Sequence, residues 1–331
     1  MNIIVRMPNW IGDLVMATPV LIDLRRAFPK ASITAMCRRP ICELLEKEGA
    51  IDELFCFAKP ANGFLRREQR DLIGKLQAGK YDVGILLTNS FSSAWWFWQG
   101  KVQRRIGFQG NWRSWFLTHS LRAKEEHQVE IYKQLLHPLG IAKSKTAPRL
   151  IVSEEEIRVS KQLLYQRGYR DGKILIGVNP GAAYGSAKCW PIERFRALAL
   201  ELLKEDVELV FFGDVSTARL VKEICQGLPE RVMNLAGVTS LRELMCLIKD
   251  CGVLVTNDSG PMHIAAALGT PLVALFGSTD DRATGPYGQS ESVINKRAEC
   301  SPCFKRVCPI DFRCMKAISV QEVVEKVRAR V

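Results

Sequence analysis

A short polar segment near the start of the chain, residues 8–13 (PNWIGD), separates an apolar run from a helical pattern. A carboxylate at such a strand-to-helix turn can take a proton from a substrate hydroxyl, so Asp13 is a candidate general base. The alternative is a helix N-cap, in which Asp13 accepts backbone N–H groups and becomes a weaker base. This segment alone leaves both interpretations open.

Residues 179–191 (NPGAAYGSAKCWP) form a second candidate, a loop of small side chains that contains Lys188. Small residues allow a ligand to approach the backbone, Lys188 supplies a positive charge, and Pro191 suits the first turn of a helix. This combination favours a bound phosphate, and the alternative is a glycine-rich loop with a solvated lysine. The glycines match neither the GxxxxGK[ST] nor the GxGxxG pattern, which argues against a P-loop and the usual dinucleotide fingerprint.

Residues 256–263 (TNDSGPMH) again lead from a strand pattern into a helix. Ser259 can cap that helix and Pro261 fits its first turn, so the first backbone N–H groups and the helix dipole form an anion site. His263 lies one turn further on. It is either a core histidine or part of the anion site, and the chain has only four histidines, which favours the second interpretation.

Apolar, β-branched runs alternate with helical patterns along the chain, and this alternation predicts the elements that carry the three segments. A first series predicts strands at 2–6, 32–37, 53–57, 82–87 and 104–108, and helices at 13–27, 40–48, 63–77 and 126–139. A second series predicts strands at 173–179, 207–212, 232–235, 252–256 and 271–276, and helices at 153–167, 192–204, 217–227, 240–250 and 260–268. The capping-box spacing of Ser with Glu recurs at 153/156, 240/243 and 319/322.

Two such series predict an α/β protein with two doubly wound parallel sheets. The polar, proline-containing segment 142–149 is the candidate linker, which gives domains of 1–150 and 151–331. Ligands of open α/β sheets bind beyond the carboxyl ends of the strands, which is where the three candidate segments fall.

The composition of the 331 residues, 47% hydrophobic and 25% charged, is that of a folded globular protein. The longest apolar stretch, 263–277, is interrupted by Gly269 and Pro271 and is too short to span a bilayer. The N-terminal residues lack the apolar core of a signal peptide, and the eleven cysteines are an odd number, typical of reduced thiols. We therefore expect a cytoplasmic protein.

The net charge of +12 is concentrated in the first half of the chain. Residues 1–150 have 23 Lys and Arg against 13 Asp and Glu, a net of +10, whereas the remainder has 24 against 22. Such a field attracts an anionic partner, which could be nucleic acid, a membrane surface or a phosphorylated substrate, although solubility alone also explains it. The sequence contains no recognised nucleic-acid-binding motif.

Two further clusters have open interpretations. Cys300, Cys303, Cys308 and Cys314 are dense enough for zinc, but their spacing lacks the paired CxxC form, so a structural loop is favoured. The aromatic run 92–100 (SSAWWFWQG), with Trp112 and Trp115, suits either a core or a bilayer interface, and the core is the commoner case.

Three segments together, the Gly12-Asp13 pair, PGAAYGSAKCWP at 180–191 and NDSGPMHIAAALGTPLVALFG at 257–277, carry a family resemblance. The chain resembles glycosyltransferase family 9, the ADP-heptose:lipopolysaccharide heptosyltransferases, of the heptosyltransferase II type. The resemblance implies a GT-B fold of two facing Rossmann-like domains, the first binding the acceptor and the second the nucleotide-sugar donor. It implies inverting transfer of heptose to the heptose of the lipopolysaccharide inner core.

Roles for individual residues follow from the resemblance. Asp13 would deprotonate the acceptor hydroxyl, and Lys188 would neutralise the departing ADP. The implied donor-binding residues are Gly181, Ala182, Ala183, Tyr184, Ser186, Asp258, Ser259, Gly260 and His263, to which we add Asp214 for the ribose because it follows a strand. The implied acceptor contacts are Gly12, Arg38, Arg39, Arg66, Arg67, Arg104 and Arg105, since the acceptor is anionic.

The resemblance also implies the partners: ADP-heptose, an anionic lipopolysaccharide core acceptor and, peripherally, the cytoplasmic surface of the inner membrane. No Asp-x-Asp motif is present, so the sequence requires no cofactor and no metal, although Mg²⁺ with the ADP-sugar is compatible with it. A different nucleotide sugar or core acceptor within the same family is the alternative. A basic nucleic-acid-binding protein is the alternative from another class.

Overall fold

The computed structural model describes residues 1–58 and 67–331. The chain divides into two compact units, Met1–Ile151 and Val152–Val331. This division lies one residue beyond the predicted boundary. Each unit is an α/β structure built on a parallel sheet, as the alternation of patterns predicts.

The sheet of the first unit has the strand order β3-β2-β1-β4-β5-β6, and every pairing is parallel. Its strands are β1 (Asn2–Arg6), β2 (Ser32–Arg38), β3 (Glu53–Phe57), β4 (Val83–Leu86), β5 (Arg104–Phe108) and β6 (His119–Leu121). The chain runs from β1 outward to β3, then returns to the other side of β1 and continues to β6. The order therefore reverses between β1 and β4, the position at which doubly wound sheets bind ligands.

The helices of the first unit differ from the predictions at several points. The observed helices are α1 (Ile11–Ala27), α2 (Arg67–Ala78), α3 (Phe91–Gln99) and α4 (Gln128–Gln134). The predicted helix 40–48 is only a 3₁₀ turn, Ile41–Leu45, and the predicted helix 126–139 ends at Gln134, before a separate 3₁₀ turn that contains Pro138. The predicted start at 63–66 lies outside the described residues, as does Arg66.

The start of α1 excludes the N-cap interpretation of Asp13. The N-cap is Trp10, which provides no side-chain hydrogen bond, and Asp13 is the third residue of the helix. Gly12 is the second. Asp13 is therefore an acidic residue in the first turn, where the helix dipole stabilises its negative charge.

The second unit repeats the same design with the strand order β12-β11-β10-β7-β8-β9, again with parallel pairings throughout. Its strands are β7 (Ile174–Asn179), β8 (Val207–Phe211), β9 (Val232–Asn234), β10 (Val253–Asn257), β11 (Leu272–Phe276) and β12 (Val293–Asn295). The order reverses between β7 and β10. The loops after these two strands contain Lys188 and Asp258, two of the predicted site residues.

The helices of the second unit follow the predicted pattern more closely. They are α5 (Glu154–Tyr165), α6 (Ile192–Leu202), α7 (Ala218–Cys225), α8 (Leu241–Asp250), α9 (Gly260–Leu268), α10 (Asp281–Thr284), α11 (Arg313–Lys316) and α12 (Val320–Arg328). Both halves of the capping box are present at Ser153/Glu156 and at Ser240/Glu243, as predicted. At α12 the Ser319 side chain caps Glu322 N–H.

Side chains from the sheet and its covering helices fill the core of the second unit. Trp190 is 1% exposed and lies edge-on to Phe195, with ring centroids 5.1 Å apart. The Trp190 indole N–H also donates to Ile318 O at 3.1 Å. Trp190 thus anchors the end of the loop that carries Lys188.

The predicted linker, 142–149, packs on the first unit. The hydroxyls of Ser144 and Thr146 donate to the buried carboxylate of Asp23 in α1 at 2.5 and 2.6 Å, and Arg149 pairs with Glu48 at 3.2 Å. Its proline and lack of regular structure fit a linker, but these contacts hold it in place. Within the described residues, no helix is both long enough and apolar enough to cross a membrane.

Candidate functional site

In the second unit, two asparagines at the ends of adjacent strands hold the loop that follows β7. Asn179 Nδ2 donates to Gly181 O at 3.1 Å and to the hydroxyl of Ser259 at 3.1 Å. Asn257 Nδ2 donates to Pro180 O at 2.7 Å, and its Oδ1 accepts Trp190 N–H at 3.0 Å. Because both asparagines are buried, these hydrogen bonds fix the loop to the strand-order reversal point of the sheet.

Lys188 and Asp258 form an ion pair at this end of the sheet. Lys188 Nζ lies 2.5 Å from Asp258 Oδ2, and the two side chains are 14% and 6% exposed. The hydroxyl of Thr279, in the loop after β11, also donates to Asp258 Oδ2 at 2.5 Å. The carboxylate therefore holds the ammonium in one place, as a fixed cation for an anionic ligand requires.

The first turn of α9 lies beside this pair. Ser259 is the N-cap residue, but its hydroxyl hydrogen-bonds Thr256 Oγ1 at 2.9 Å and makes no side-chain cap. The prediction that Ser259 caps the helix with its side chain is therefore wrong. Gly260 begins the helix, and His263, one turn on, is buried at 6% exposure. Helix N-terminal amides without a side-chain cap suit an anion.

The ring of Tyr184 lies near two cations. Lys188 Nζ is 4.9 Å from its centroid and the Arg306 guanidinium carbon is 5.4 Å from it. The Tyr184 hydroxyl donates to Phe304 O at 2.7 Å, and Ala187 N–H donates to Arg306 O at 3.0 Å. Residues 304–306 thus contact the loop 179–191, which we call the phosphate loop. The sequence alone did not indicate this contact.

The other predicted donor residues lie at the same edge of the sheet. Ala182, Ala183 and Ser186 follow Gly181 along the loop. A Cβ at Gly181 would lie 2.8 Å from Thr217 Cγ2, so the loop approaches α7 closely. Asp214 Oδ1 accepts hydrogen bonds from Ser216 and Thr217. Burial raises the pKa of the Asp214 carboxyl, but these hydrogen bonds outweigh it and hold that pKa below its usual value.

In the first unit, Asp13 lies beside the buried phenol of Tyr132 in α4. The Tyr132 hydroxyl donates to Asp13 Oδ1 at 3.1 Å. Burial, and then the Asp13 charge, raise the pKa of Tyr132 well above its usual value of 10. The phenol therefore stays protonated and donates to the carboxylate, which orients Asp13.

The loop between β1 and α1 is held by a buried arginine that the sequence analysis missed. Arg6 is 3% exposed and donates to Met7 O and, at 2.6 Å, to Asn9 Oδ1. Its guanidinium lies 4.7 Å from the ring centroid of Phe57. Burial lowers the pKa of Arg6 to about 10. A charged residue at the end of an apolar strand is the sequence signal that indicates this role.

A cavity of about 360 Å³ lies at the carboxyl ends of β4 and β5. It is lined by Leu87, Asn89, Phe108, Gln109, Arg122, Ala123, Gln128, Ile131 and Tyr132. Tyr132 is the residue that contacts Asp13, so the cavity and the candidate base share a wall. Amide side chains and one arginine are groups that bind sugar hydroxyls and anions.

The predicted acceptor arginines separate into two groups. Arg38 ends β2, so it and Arg39 lie at the carboxyl edge of the sheet, the edge that also carries Asp13. Arg104 and Arg105 begin β5 at the opposite edge, and they donate to backbone carbonyls, Arg104 to Pro138 O and Arg105 to Phe116 O. The structure therefore does not bring Arg104 and Arg105 to the candidate site. Arg67 begins α2.

The four clustered cysteines are free thiols, three half-buried and Cys314 buried. Burial, followed by the nearby Cys300, raises the pKa of Cys314. Within residues 1–58 and 67–331, no group of three or more His, Cys, Asp or Glu is arranged to hold a metal ion. The backbone N–H groups of Cys303 and Phe304 both donate to Ser278 O, which attaches this loop beside Thr279.

Several aromatic side chains of the first unit are exposed. Trp112 and Trp115 are 81% and 85% exposed, and Trp98 is 46% exposed. The Phe116 ring packs against Phe91 and against Trp98, with centroids 5.3 Å apart in both pairs. We call these five residues the aromatic patch. The core interpretation of the run 92–100 holds for Trp96 and Phe97, which are buried, and not for Trp98.

These features define a class of protein. A parallel sheet with a fixed cation beside a helix N-terminus suits an anionic leaving group, and a carboxylate at the end of another sheet suits proton abstraction. Together these features are typical of group-transfer enzymes that act on phosphorylated donors.

Similarity to known proteins identifies the family of this chain. The model of glycosyltransferase family 9 (heptosyltransferase) matches residues 69–312. The chain is 32% identical to lipooligosaccharide heptosyltransferase 2 of Haemophilus influenzae and to lipopolysaccharide heptosyltransferase 2 of Escherichia coli K12, over 89% of this chain and 88% of each relative. The structure of E. coli ADP-heptose lipopolysaccharide heptosyltransferase II matches with a TM-score of 0.85 and 29% identity, covering 99% and 98% of the two chains. The chain belongs to glycosyltransferase family 9, and its fold is of the GT-B type, which confirms the predicted family and fold class.

Proposed function

We propose that this enzyme transfers L-glycero-D-manno-heptose from ADP-heptose to the heptose of the lipopolysaccharide inner core. Membership of family 9 and the likeness to heptosyltransferases 2 support this activity. The observation that carries it within the chain is the Lys188–Asp258 pair beside the first turn of α9. A fixed cation and helix amides at one place are what a departing nucleoside diphosphate needs.

The second unit is the proposed donor domain. Lys188 contacts the diphosphate, and the loop residues Gly181, Ala182, Ala183, Tyr184 and Ser186 form one wall of the donor site. Asp258, Ser259, Gly260 and His263 form the other wall. Asp214 contacts the ribose because it lies at the carboxyl end of β8, where such sheets bind nucleotides.

The first unit is the proposed acceptor domain, with Gly12, Arg38 and Arg39 at the edge of the sheet that carries Asp13. The cavity beside Tyr132 adds Arg122 and the amides of Asn89, Gln109 and Gln128. An anionic, hydroxyl-rich sugar fits these donors. We assign no acceptor role to Arg104 and Arg105, because their guanidinium groups bind backbone carbonyls at the opposite edge of the sheet.

Transfer follows a single displacement with inversion at the anomeric carbon. Asp13 takes the proton of the acceptor hydroxyl, and the resulting oxygen nucleophile forms a bond to the anomeric carbon of the heptose. The bond from that carbon to the diphosphate oxygen breaks, and ADP leaves with the electron pair. Lys188 and the α9 amides stabilise the negative charge that develops on the leaving group.

The reaction needs no resident cofactor in this scheme, since Lys188 supplies the positive charge that a metal ion otherwise provides. We expect chelation with EDTA to leave transfer unchanged, and a dependence on Mg²⁺ would contradict this part of the proposal.

We also propose that the enzyme works in the cytoplasm, bound peripherally to the inner membrane that holds the acceptor. The aromatic patch and the positive charge of the first unit support this location.

The test compares transfer from ADP-heptose to a core acceptor that carries one heptose with transfer to a heptose-free core. We expect the one-heptose acceptor to be used with at least about tenfold higher kcat/KM, a difference of about 1.4 kcal/mol in the transition state. Preference for the heptose-free core would assign the enzyme to the first heptosyl transfer. Use of another nucleotide sugar in place of ADP-heptose would identify a different donor within the same family, because pocket residues determine donor choice.

A nucleic-acid-binding protein is the alternative from another class, and only the basic first half of the chain favours it. It predicts binding to random duplex DNA that weakens steeply with salt. We expect no such binding at physiological ionic strength.

A further inference from the structure

The segment 300–308 packs on the phosphate loop of the second unit through three contacts. The Tyr184 hydroxyl donates to Phe304 O at 2.7 Å, and Ala187 N–H donates to Arg306 O at 3.0 Å. At Gly185, where φ is +155°, a Cβ would collide with Arg306 O, so only glycine permits this approach. The position of Arg306 is therefore coupled to that of the loop that carries Lys188.

Two other arginines near Arg306 in the sequence have carboxylate partners. Arg297 pairs with Asp281 at 2.7 Å, and Arg313 pairs with Asp311 at 3.1 Å. Among the residues that the structure describes, no carboxylate lies within 4.0 Å of the Arg306 guanidinium. The contact of that guanidinium is the Tyr184 ring, which Lys188 also approaches. Because Arg306 has no carboxylate partner and lies beside an anion site, it is available to bind a second anionic group.

We propose that Arg306, held by the segment 300–308, is a second cation for the diphosphate of the donor. Lys188 is already paired with the Asp258 carboxylate, so this one lysine leaves much of the diphosphate charge uncompensated. Arg306 supplies that charge, and both cations lie near the Tyr184 ring, Lys188 Nζ at 4.9 Å and the Arg306 guanidinium carbon at 5.4 Å from its centroid. This inference rests on the proposed function and adds a residue to its donor site.

The test measures binding of ADP and of adenosine to the full-length protein by calorimetry. Arg306→Ala should weaken ADP binding about tenfold and leave adenosine binding unchanged, because only the diphosphate contact is removed. Arg306→Lys should recover part of the loss. Lys305→Ala removes the adjacent exposed cation and serves as the matched control with unchanged ADP affinity.

Kinetics give a second readout. Arg306→Ala should raise the KM for ADP-heptose. The difference in KM between the variant and the wild type should shrink as the salt concentration rises, because salt weakens the Arg306 contact that only the wild type makes. Equal ADP affinity in wild type and Arg306→Ala would overturn the inference while leaving the proposed function intact. An equal loss of ADP and adenosine binding would also overturn it, since that result indicates a role in loop folding. Failure of the wild type to bind ADP would overturn the proposed function itself.

Discussion

At the scale of single residues, the sequence predicted that the candidate site residues lie at the ends of strands, and it did not predict their partners. Asp13, Lys188 and Asp258 follow strand patterns, and the carboxyl ends of parallel strands are where ligands bind. The sequence could not show that Asp258 pairs with Lys188, because that contact joins loops separated by seventy residues. The contact of Arg306 with Tyr184 was missed for the same reason, because it also joins segments that are far apart in the sequence.

The first prediction concerns the candidate base. Asp13→Asn keeps the shape of the side chain and removes its basicity, so kcat should fall by at least about 10³-fold. The ADP affinity should stay within about twofold of wild type, because Asp13 belongs to the first unit and the proposed donor residues to the second. Steady-state kinetics and calorimetry check both values. Turnover close to wild type would remove Asp13 from the mechanism.

Tyr132 is expected to position Asp13 without taking part in proton transfer. Its raised pKa keeps the phenol protonated up to at least pH 10, so the hydrogen bond to Asp13 persists across the working range. Tyr132→Phe should therefore lower kcat about tenfold, leave the KM for ADP-heptose unchanged and add no new alkaline limb to the pH profile.

Tyr165→Phe is the matched control for Tyr132, because the Tyr165 hydroxyl also donates to a carboxylate, Asp171, in an exposed position. It should leave kcat unchanged. If both variants lose activity equally, or if Tyr132→Phe loses none, Tyr132 does not position the base.

Lys188 is expected to contribute both to binding and to stability. Lys188→Ala leaves the buried Asp258 carboxylate without its cation, which should cost on the order of 2 kcal/mol, less than for a fully buried pair because Lys188 is 14% exposed. Lys188→Ala/Asp258→Asn should recover the stability and not the ADP affinity. Urea unfolding and calorimetry separate the two effects, and recovery of ADP binding in the double variant would contradict the phosphate role.

At the scale of elements, local signals predicted the second unit well and the first unit less well. The capping boxes at Ser153 and Ser240 start α5 and α8 as predicted, because both partners lie within one turn. The helix α3 was missed because its aromatic run has modest helix propensity and its cap, Ser90, lacks a glutamate three residues on. The strands β6 and β12 have three residues each, too few for a periodic signal.

Glu156 gives a prediction at this scale because it joins two helices. Burial raises the pKa of the Glu156 carboxyl, but hydrogen bonds from Ser153 N–H and from Arg242 in α8 outweigh it and lower that pKa to about 2. Its stabilising contribution is therefore complete above the unfolded pKa, near 4.3, and is lost as pH falls towards 2.

Glu156→Gln should reduce the free energy of unfolding by about 1 kcal/mol at pH 7, since the amide keeps the capping hydrogen bond and loses the partly exposed ion pair. The difference from wild type, measured by urea unfolding, should be constant from pH 7 to 5 and shrink below pH 4. Glu155→Gln, which breaks an exposed pair with Arg158, should cost less at every pH. A pH-independent difference would contradict the ion-pair explanation.

At the scale of the whole molecule, most of the excess positive charge belongs to the first unit. Residues 83–124 contain six Lys and Arg and no Asp or Glu, and this stretch carries the whole aromatic patch. Composition predicted the charge, whereas only the structure distinguishes exposed Trp112 and Trp115 from buried Trp96.

The last prediction follows from exposed indoles within a positively charged stretch, a combination that favours the interface of an anionic bilayer. Trp112→Ala/Trp115→Ala should weaken co-sedimentation with vesicles of anionic phospholipid about tenfold, and raising salt should weaken wild-type binding further. Val215→Ser, at a site that is 81% exposed in the second unit, is the control and should bind as wild type does. Unchanged vesicle binding in the double variant would contradict the membrane location. So would the finding that the wild type is a dimer and the double variant a monomer, because a second copy of the chain would then cover the aromatic patch. Transfer to a water-soluble acceptor should be unaffected, because the proposal assigns these indoles to the bilayer and not to the reacting sugars.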